Sequence, residues 1–304
     1  MSAGGEVIEA ADGHRIPLRR WSPMSEPRAV IQVLHGLAEH AGRYERFAGA
    51  CVDAGYAVVA HDHRGHGEAA ATRLGHFADR GGWDAVVSDA LAVNESARAL
   101  AAGRPLLLFG HSMGSYLAQS QLIRAPGSAD ALVLSGSTWP KRGEVRVGRL
   151  VAAIGSRLRG PRATARLLGG MSFGAFNKRY APNRTPFDWL SRDPAEVDRY
   201  VADPLCGAPS SHALWRDLLG GLLEISDPRA LARIPADLPV LVTGGAEDPV
   251  GGARRLARLA DVYRETGKTN VSLRLYPEGR HEMLNEINRD EFVADLLGWI
   301  AAHT

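Results

Sequence analysis

Leu106-Leu-Leu-Phe-Gly110-His111-Ser112-Met113-Gly114-Ser115 is a short apolar run that ends in Gly-x-Ser-x-Gly and leads into Met113 to Ile123. A continuous apolar stretch of this length reads as a strand covered on both faces. Tyr116, Leu117, Leu122 and Ile123 then recur at helical spacing. Strand, tight turn and helix in succession place Ser112 at the tip of the turn. Such a turn brings backbone together from both sides and strains the serine's own φ/ψ, so its flanks must be small. Gly110 and Gly114 meet that need, with His111 between strand and serine. A glycine-rich bend that only packs strand on helix is the bland alternative, and the strand-turn-helix context weighs against it. Ser115 lies off the centre of the motif and is assigned to packing or capping of the turn. The helix after Ser112 points its N-terminal amides and dipole at incoming negative charge.

Outward from this segment, further short apolar or alternating runs occupy Glu6 to Glu9, Arg15 to Trp21, Ala29 to Leu34, Tyr56 to Ala60, Ala131 to Leu134, Pro239 to Val242 and Val271 to Leu275. With Leu106 to Phe109 they make eight candidate strands. Asp12-Gly13 is a hairpin turn signal between the first two, and most later runs are separated by enough chain for a helical crossover. Ala85 to Leu100 is one such helix, with Val86, Val87, Leu91, Val93 and Leu100 as its sheet-facing stripe; Arg254 to Thr266 is another. The expectation is an α/β fold with a mostly parallel eight-stranded sheet and helices on both faces.

The stretch from about Ser137 to Ile234 exceeds any ordinary connection. It predicts a helical cap over residues 137–234, inserted into a core formed by 1–136 and 235–304. Its aromatics include Trp139, Phe173, Phe176, Phe187, Trp189 and Trp215. Together with Leu205, Leu214, Leu218, Leu219, Leu222 and Leu223 they can line a ligand pocket or form the cap's own core; for any single residue the core is the expectation. Between Lys141 and Arg166 stand eight Lys or Arg residues and one acid, Glu144, interleaved with Val147, Leu150, Val151, Ile154 and Leu158. The reading preferred here is a solvated helix face beside the cap core. Transient contact of a basic amphipathic helix with an anionic membrane surface is the alternative.

The 304 residues are 45% hydrophobic and 23% charged, a soluble globular composition. A net charge of +2 offers no basic field for nucleic acid, so that class of partner is set aside. Cys51 and Cys206 are far apart and lack metal-type spacing, which points to a reducing compartment. The opening Met-Ser-Ala-Gly-Gly-Glu-Val has neither a basic n-region nor an apolar h-region, and no run of about 18 apolar residues occurs. The expected location is cytoplasmic, without a membrane span.

A serine hydroxyl is a poor nucleophile near neutral pH and needs a base, itself oriented by a third group. On a turn of this kind the partners follow in the order serine, acid, histidine. His281 stands in Tyr276-Pro-Glu-Gly-Arg-His281-Glu-Met, directly after the last strand and before a helix carrying Met283, Ile287, Phe292, Leu296, Leu297 and Ile300. His212 lies in the cap and His303 at a terminus expected to fray, and no strand leads into either. Asp248 follows the seventh strand in Gly-Gly-Ala-Glu247-Asp248-Pro-Val and is preferred to Glu247, because Pro249 holds the preceding residue in an extended turn. For the oxyanion, the Met113 amide is one donor. The Leu37 amide, in the loop His35-Gly36-Leu37-Ala-Glu-His40, is the other. His61-Asp62-His63-Arg-Gly-His66-Gly67 has a spacing that invites a metal, but no further ligand cluster completes one; His63 and Asp62 are read as structural.

Four segments together, His35-Gly-Leu-Ala-Glu-His-Ala-Gly-Arg-Tyr44, His61 to Gly67, Gly110-His-Ser-Met-Gly114, and Glu247-Asp248 with His281-Glu-Met, resemble the monoacylglycerol lipase and lysophospholipase group of α/β-hydrolases, serine aminopeptidase S33-type enzymes. The likeness runs from about residue 29 to the end and is weakest in the cap. It implies the α/β-hydrolase fold, a triad of Ser112, Asp248 and His281, and Leu37 and Met113 amides as oxyanion donors. The chemistry implied is ester hydrolysis through an acyl-enzyme, with no metal or organic cofactor and with a monoacylglycerol or lysophospholipid as substrate. A short-chain or aryl ester, a thioester or a peracid on the same machinery is the alternative, as is a ligand-binding homologue without turnover.

Overall fold

The computed structural model describes residues 6–70 and 73–304. Its strands are β1 Val7–Glu9, β2 Arg15–Trp21, β3 Val30–Leu34, β4 Ala57–His61, β5 Leu106–His111, β6 Ala131–Ser135, β7 Val240–Gly245 and β8 Val271–Tyr276. They form one sheet in the order β1-β2-β4-β3-β5-β6-β7-β8. β1 pairs antiparallel with β2, and β2 antiparallel with β4; all remaining pairs are parallel. Every residue of β3, β4, β5, β6 and β7 is buried, which is why these strands read as unbroken apolar runs rather than alternating ones. β8, at the edge, is only partly covered.

Helices α1 Glu45–Asp53, α2 Gly82–Ala101 and α3 Met113–Arg124 follow β3, β4 and β5. Between β6 and β7 the chain is helical: α4 Arg142–Arg159, α5 Arg166–Gly169, α6 Ala175–Lys178, α7 Pro194–Ala202, α8 His212–Ile225 and α9 Pro228–Leu231. α10 Gly252–Glu265 and α11 Arg289–His303 complete the chain. One face of the sheet packs under α2, α3 and α10 through Leu108, Leu132, Val86, Leu117 and Leu259; the other packs under α1 and α11 through Ile31, Phe109, Phe47 and Phe292. Two covered faces are what a parallel sheet requires.

β5 lies between β3 and β6, with Leu34 opposite Gly110 and Ser135 opposite His111. Ser112 therefore emerges at the carboxyl end of a central strand, the usual place for a ligand crevice in such a sheet.

Two segments differ from the sequence reading. The C-terminal helix begins only at Arg289; Met283 sits in a separate 3-10 turn and Ile287 is exposed. The reason is Glu286, whose buried carboxylate accepts from the amides of Arg192, Arg280 and Ile287 and so holds that stretch out of a helix. His303 closes the last turn of α11, its ring Nδ1 lying 2.8 Å from the Trp299 carbonyl oxygen.

Candidate active site

Ser112 has φ 51° and ψ −120°, a strained conformation for a residue with a side chain. Two close backbone approaches flank it. A Cβ at Gly114 would lie 1.9 Å from the Leu34 carbonyl oxygen, and one at Gly110 would lie 2.5 Å from that of Gly114. Both glycines are therefore demanded by backbone contact rather than by flexibility. The Ser115 hydroxyl donates to the Ser112 carbonyl at 2.6 Å and lies 2.7 Å from Ser137 Oγ, bracing the turn from inside. Met113 opens α3, so its N–H is one of the first-turn donors that have no partner within the helix.

His281 Nδ1 lies 2.9 Å from Asp248 Oδ2, and both residues are buried. The other carboxylate oxygen accepts from the Val250 amide at 2.8 Å, which fixes the orientation of the carboxylate. Glu247, the competing acid, points away: it pairs with Arg179, and its carbonyl accepts from the Tyr180 hydroxyl. Burial pulls the imidazole of His281 down, but Asp248 beside it, then Glu282 and Glu39, hold it above the usual histidine value. With Nδ1–H directed to Asp248, Nε2 carries the free lone pair. Ser112, His281 and Leu37 line one cavity, walled by Phe173, Phe187 and Trp189 of the insertion. The Trp189 ring lies 4.9 Å from that of His281. Among the aromatics left open by the sequence, these three face the cavity, whereas Trp215 joins Leu214 and Leu218 in the core over α3. His212 lies elsewhere, at the start of α8.

A buried ion network, to which sequence reading gave no role, organises the loop after β3. Glu39 accepts from the Gly36 amide at 2.5 Å and from the Tyr44 hydroxyl at 2.9 Å. Arg43 donates to Glu39 at 2.6 Å and forks onto Glu282 with two bonds of 2.7 Å. The loop of Leu37 and the loop of His281 are thus riveted through one guanidinium. Gly36 permits this, since a Cβ there would meet Glu39 at 2.7 Å and Ser112 Cβ at 3.3 Å. Its N–H is taken by Glu39, which leaves Leu37 as the next donor along the loop. The insertion adds Tyr200, whose hydroxyl donates to the Ala38 carbonyl at 2.7 Å and whose ring lies under Arg43. The legible signal was the Glu39–Arg43 spacing of four in a loop between buried strands.

His111 sits 4.8 Å from His281, ring to ring, and burial followed by that neighbour lowers it to about 4. The histidines after β4 act as packing. His63 Nδ1 lies 3.1 Å from His61 Nε2, and His35 Nε2 accepts from the His63 amide at 3.0 Å. Asp62 accepts from the Ala41 and Glu68 amides, tying the two loops together.

Residues 25–288 match the family model Hydrolase_4, described as serine aminopeptidase, S33. The chain belongs to this hydrolase family. A monoacylglycerol lipase of Mycolicibacterium smegmatis is 32% identical over 96% of this chain and 94% of its own length. The human monoglyceride lipase is 29% identical over 91% and 82%. A carboxyl esterase from Bacillus coagulans superposes with a TM-score of 0.90 at 24% identity, covering 100% of this chain and 98% of that one, and so shares its fold. Membership in this family, with lipases among its relatives, makes the chain a carboxylic ester hydrolase of the lipase type.

Proposed function

We propose that the chain hydrolyses monoacylglycerols through an acyl-enzyme on Ser112, with His281 as base and Asp248 as its partner. The observation that carries this reading is a strained Ser112 sharing one cavity with a histidine whose Nδ1 is held by a buried Asp. Ser112 Oγ attacks the ester carbonyl and His281 Nε2 takes its proton. The carbonyl electrons move onto oxygen, where the Leu37 and Met113 amides stabilise them. Collapse expels the glycerol alkoxide, which takes the proton back from His281. Water then attacks the acyl-serine by the same steps and releases the fatty acid. Asp248 keeps the imidazole in the productive tautomer and stabilises the imidazolium without itself being protonated. Residues 137–234 act as the cap that walls the acyl site, and the reading of this substrate rests on the relatives' activities and on the apolar wall of Phe173, Phe187 and Trp189.

The test is the initial rate of acid release from monoacylglycerols of several chain lengths, a lysophospholipid and a short aryl ester, with Ser112→Ala as control. A preference for a long-chain monoacylglycerol, and a loss of about 10⁴-fold or more in the variant, is the expected result. Turnover of the short ester alone overturns the lipid reading. A variant as active as the parent overturns the mechanism.

The cap also offers a membrane contact. On α4, Val147, Leu150 and Leu158 are 64%, 61% and 78% exposed and share one face with Ile154, while Arg146 and Arg157 border that face. An exposed apolar stripe bordered by arginines suits an anionic lipid surface. Sedimentation with anionic vesicles should weaken with salt and fall several-fold in Leu150→Asp/Leu158→Asp; binding unchanged by both overturns the contact. Among the described residues no helix is long and apolar enough to cross a membrane. We place the enzyme in the cytoplasm, a reading supported by its two free cysteines.

A further inference from the structure

His40, Asp203 and Cys206 bring a ring nitrogen, a carboxylate oxygen and a thiol sulfur within 4.8 Å of one another. They meet at the seam between the loop after β3 and the segment that leaves α7. The ester-cleaving steps use none of them.

The three donors are held in place by the backbone around them. Asp203 Oδ1 accepts from the Leu205 amide at 2.9 Å, and the Asp203 carbonyl accepts from the Cys206 amide at 3.0 Å. This tight turn leaves Oδ2 facing His40 Nε2 at 2.9 Å. The ring is oriented from its other side by the Gly42 amide, which donates to Nδ1 at 3.2 Å. Solvent reaches the cluster, because the His40 and Asp203 side chains are 12% and 31% exposed and Cys206 is half-buried.

Charge supplies an independent argument. Among the charged groups near the Cys206 thiol are Arg43, Glu39, Asp203 and Glu282, so carboxylates outnumber the guanidinium there. An ordinary cysteine thiol is protonated at neutral pH, so a cation that binds the sulfur replaces that proton. Sulfur, imidazole and a single carboxylate together select a borderline-soft ion over Mg²⁺ or Ca²⁺. Bond lengths of about 2.0 to 2.3 Å put tetrahedral donors roughly 3.3 to 3.8 Å apart. The widest donor pair must close by about 1 Å, and the His40–Asp203 pair at 2.9 Å must open by a few tenths of an ångström, to reach that geometry.

We propose that His40, Asp203 and Cys206 form a three-ligand site for a thiophilic divalent cation of the Zn²⁺ class, with water as the fourth ligand, which clamps the insertion onto the loop of Leu37. On binding, the Cys206 proton passes to solvent. The His40 proton moves from Nε2 to Nδ1, at the expense of the Gly42 contact. One proton is released per cation. The seam is already a contact, since the Gly207 amide donates to the Ala38 carbonyl at 2.9 Å. A metal across it restrains both sides, so the bound cation slows ester hydrolysis. That consequence rests on the catalytic reading above; the binding does not.

The experiment is titration of the purified full chain with Cd²⁺ and with Zn²⁺. Ultraviolet sulfur-to-cadmium charge transfer reports on the thiolate, and calorimetry in buffers of different ionisation enthalpy reports on the proton. One cation per chain, one proton released, and a band absent from both Cys206→Ala and Cys206→Ser but kept in Cys51→Ala are expected. Zn²⁺ should inhibit aryl-ester hydrolysis reversibly by EDTA, with at least ten times more needed in the Cys206 variants. A band that survives in both Cys206 variants, or no binding in the parent, overturns the site. Binding without inhibition in an active enzyme overturns the clamp. An enzyme inactive on every ester would undo the catalytic reading and leave the cadmium band to decide the site alone.

Discussion

Arg43 is the residue on which the loops of the site converge, and its environment decides what it does. A buried guanidinium between two carboxylates is costly to desolvate, and removing one partner leaves charge unpaired, at about 3 to 5 kcal/mol. Its return is geometric: two bonds to Glu282 and one to Glu39 fix the distance between the loop of Leu37 and the loop of His281. Arg43→Lys keeps the charge but cannot fork. We expect kcat on an aryl ester to fall about tenfold with KM nearly unchanged, because displacing the Leu37 amide, the oxyanion donor proposed above, weakens only the transition state. A rise in KM at constant kcat would assign the network to substrate binding instead. Little of this was legible. Glu39 and Arg43 stood in a motif quoted from the sequence, yet their partner Glu282 is more than two hundred residues away, and nothing local joins them.

The elbow is the element whose reading was most complete in the sequence. An apolar run, two glycines and a helical repeat specify strand, turn and helix because each is a local preference. What the sequence left open was why the glycines are needed. Gly114 is fixed by the Leu34 carbonyl at the end of β3, a neighbour supplied by sheet register. Gly114→Ala has no room without shifting β3 against α3. We expect it to lower Tm by several degrees and reduce kcat/KM by at least 100-fold, measured by thermal unfolding and aryl-ester kinetics. A variant of unchanged Tm and activity would mean the elbow relaxes cheaply. The stripe on α4 shows the opposite case. Its period was plain, but a repeat cannot say whether a helix face meets protein or solvent, and here Val147, Leu150, Ile154 and Leu158 stay outside.

For the whole molecule, the buried histidines set the response to acid. Burial lowers His61 and His66 to about 3 and His111 to about 4, and it lowers His35 and His63 as well. Below about 6.5 the unfolded chain binds protons that these folded imidazoles refuse, so stability declines as pH falls from 6.5 toward 3. His281 acts in the opposite sense: its folded value is raised, so its contribution is present at low pH and lost as pH rises through that value. Burial lowers His14, His76 and His212 as well, so eight lowered imidazoles against one raised decide the sign. At pH 5.5 each of His61, His66 and His111 costs about 1.4 kcal/mol, about 4 kcal/mol for the three. Urea unfolding midpoints should drop between pH 7 and pH 5, and His61→Asn/His66→Gln should flatten that slope; a midpoint independent of pH would contradict it. The sequence by itself determined the alternation of strands and helices, the order in which Ser112, Asp248 and His281 follow the strands, and the long helical interruption, because periodicity, turn chemistry and segment length are properties of neighbouring residues. Only the tertiary structure decided that Arg43 joins two distant loops, that Glu247 turns away to Arg179, and which aromatics of the insertion face Ser112. Those contacts depend on sheet order and burial, which bring together side chains that no local pattern relates.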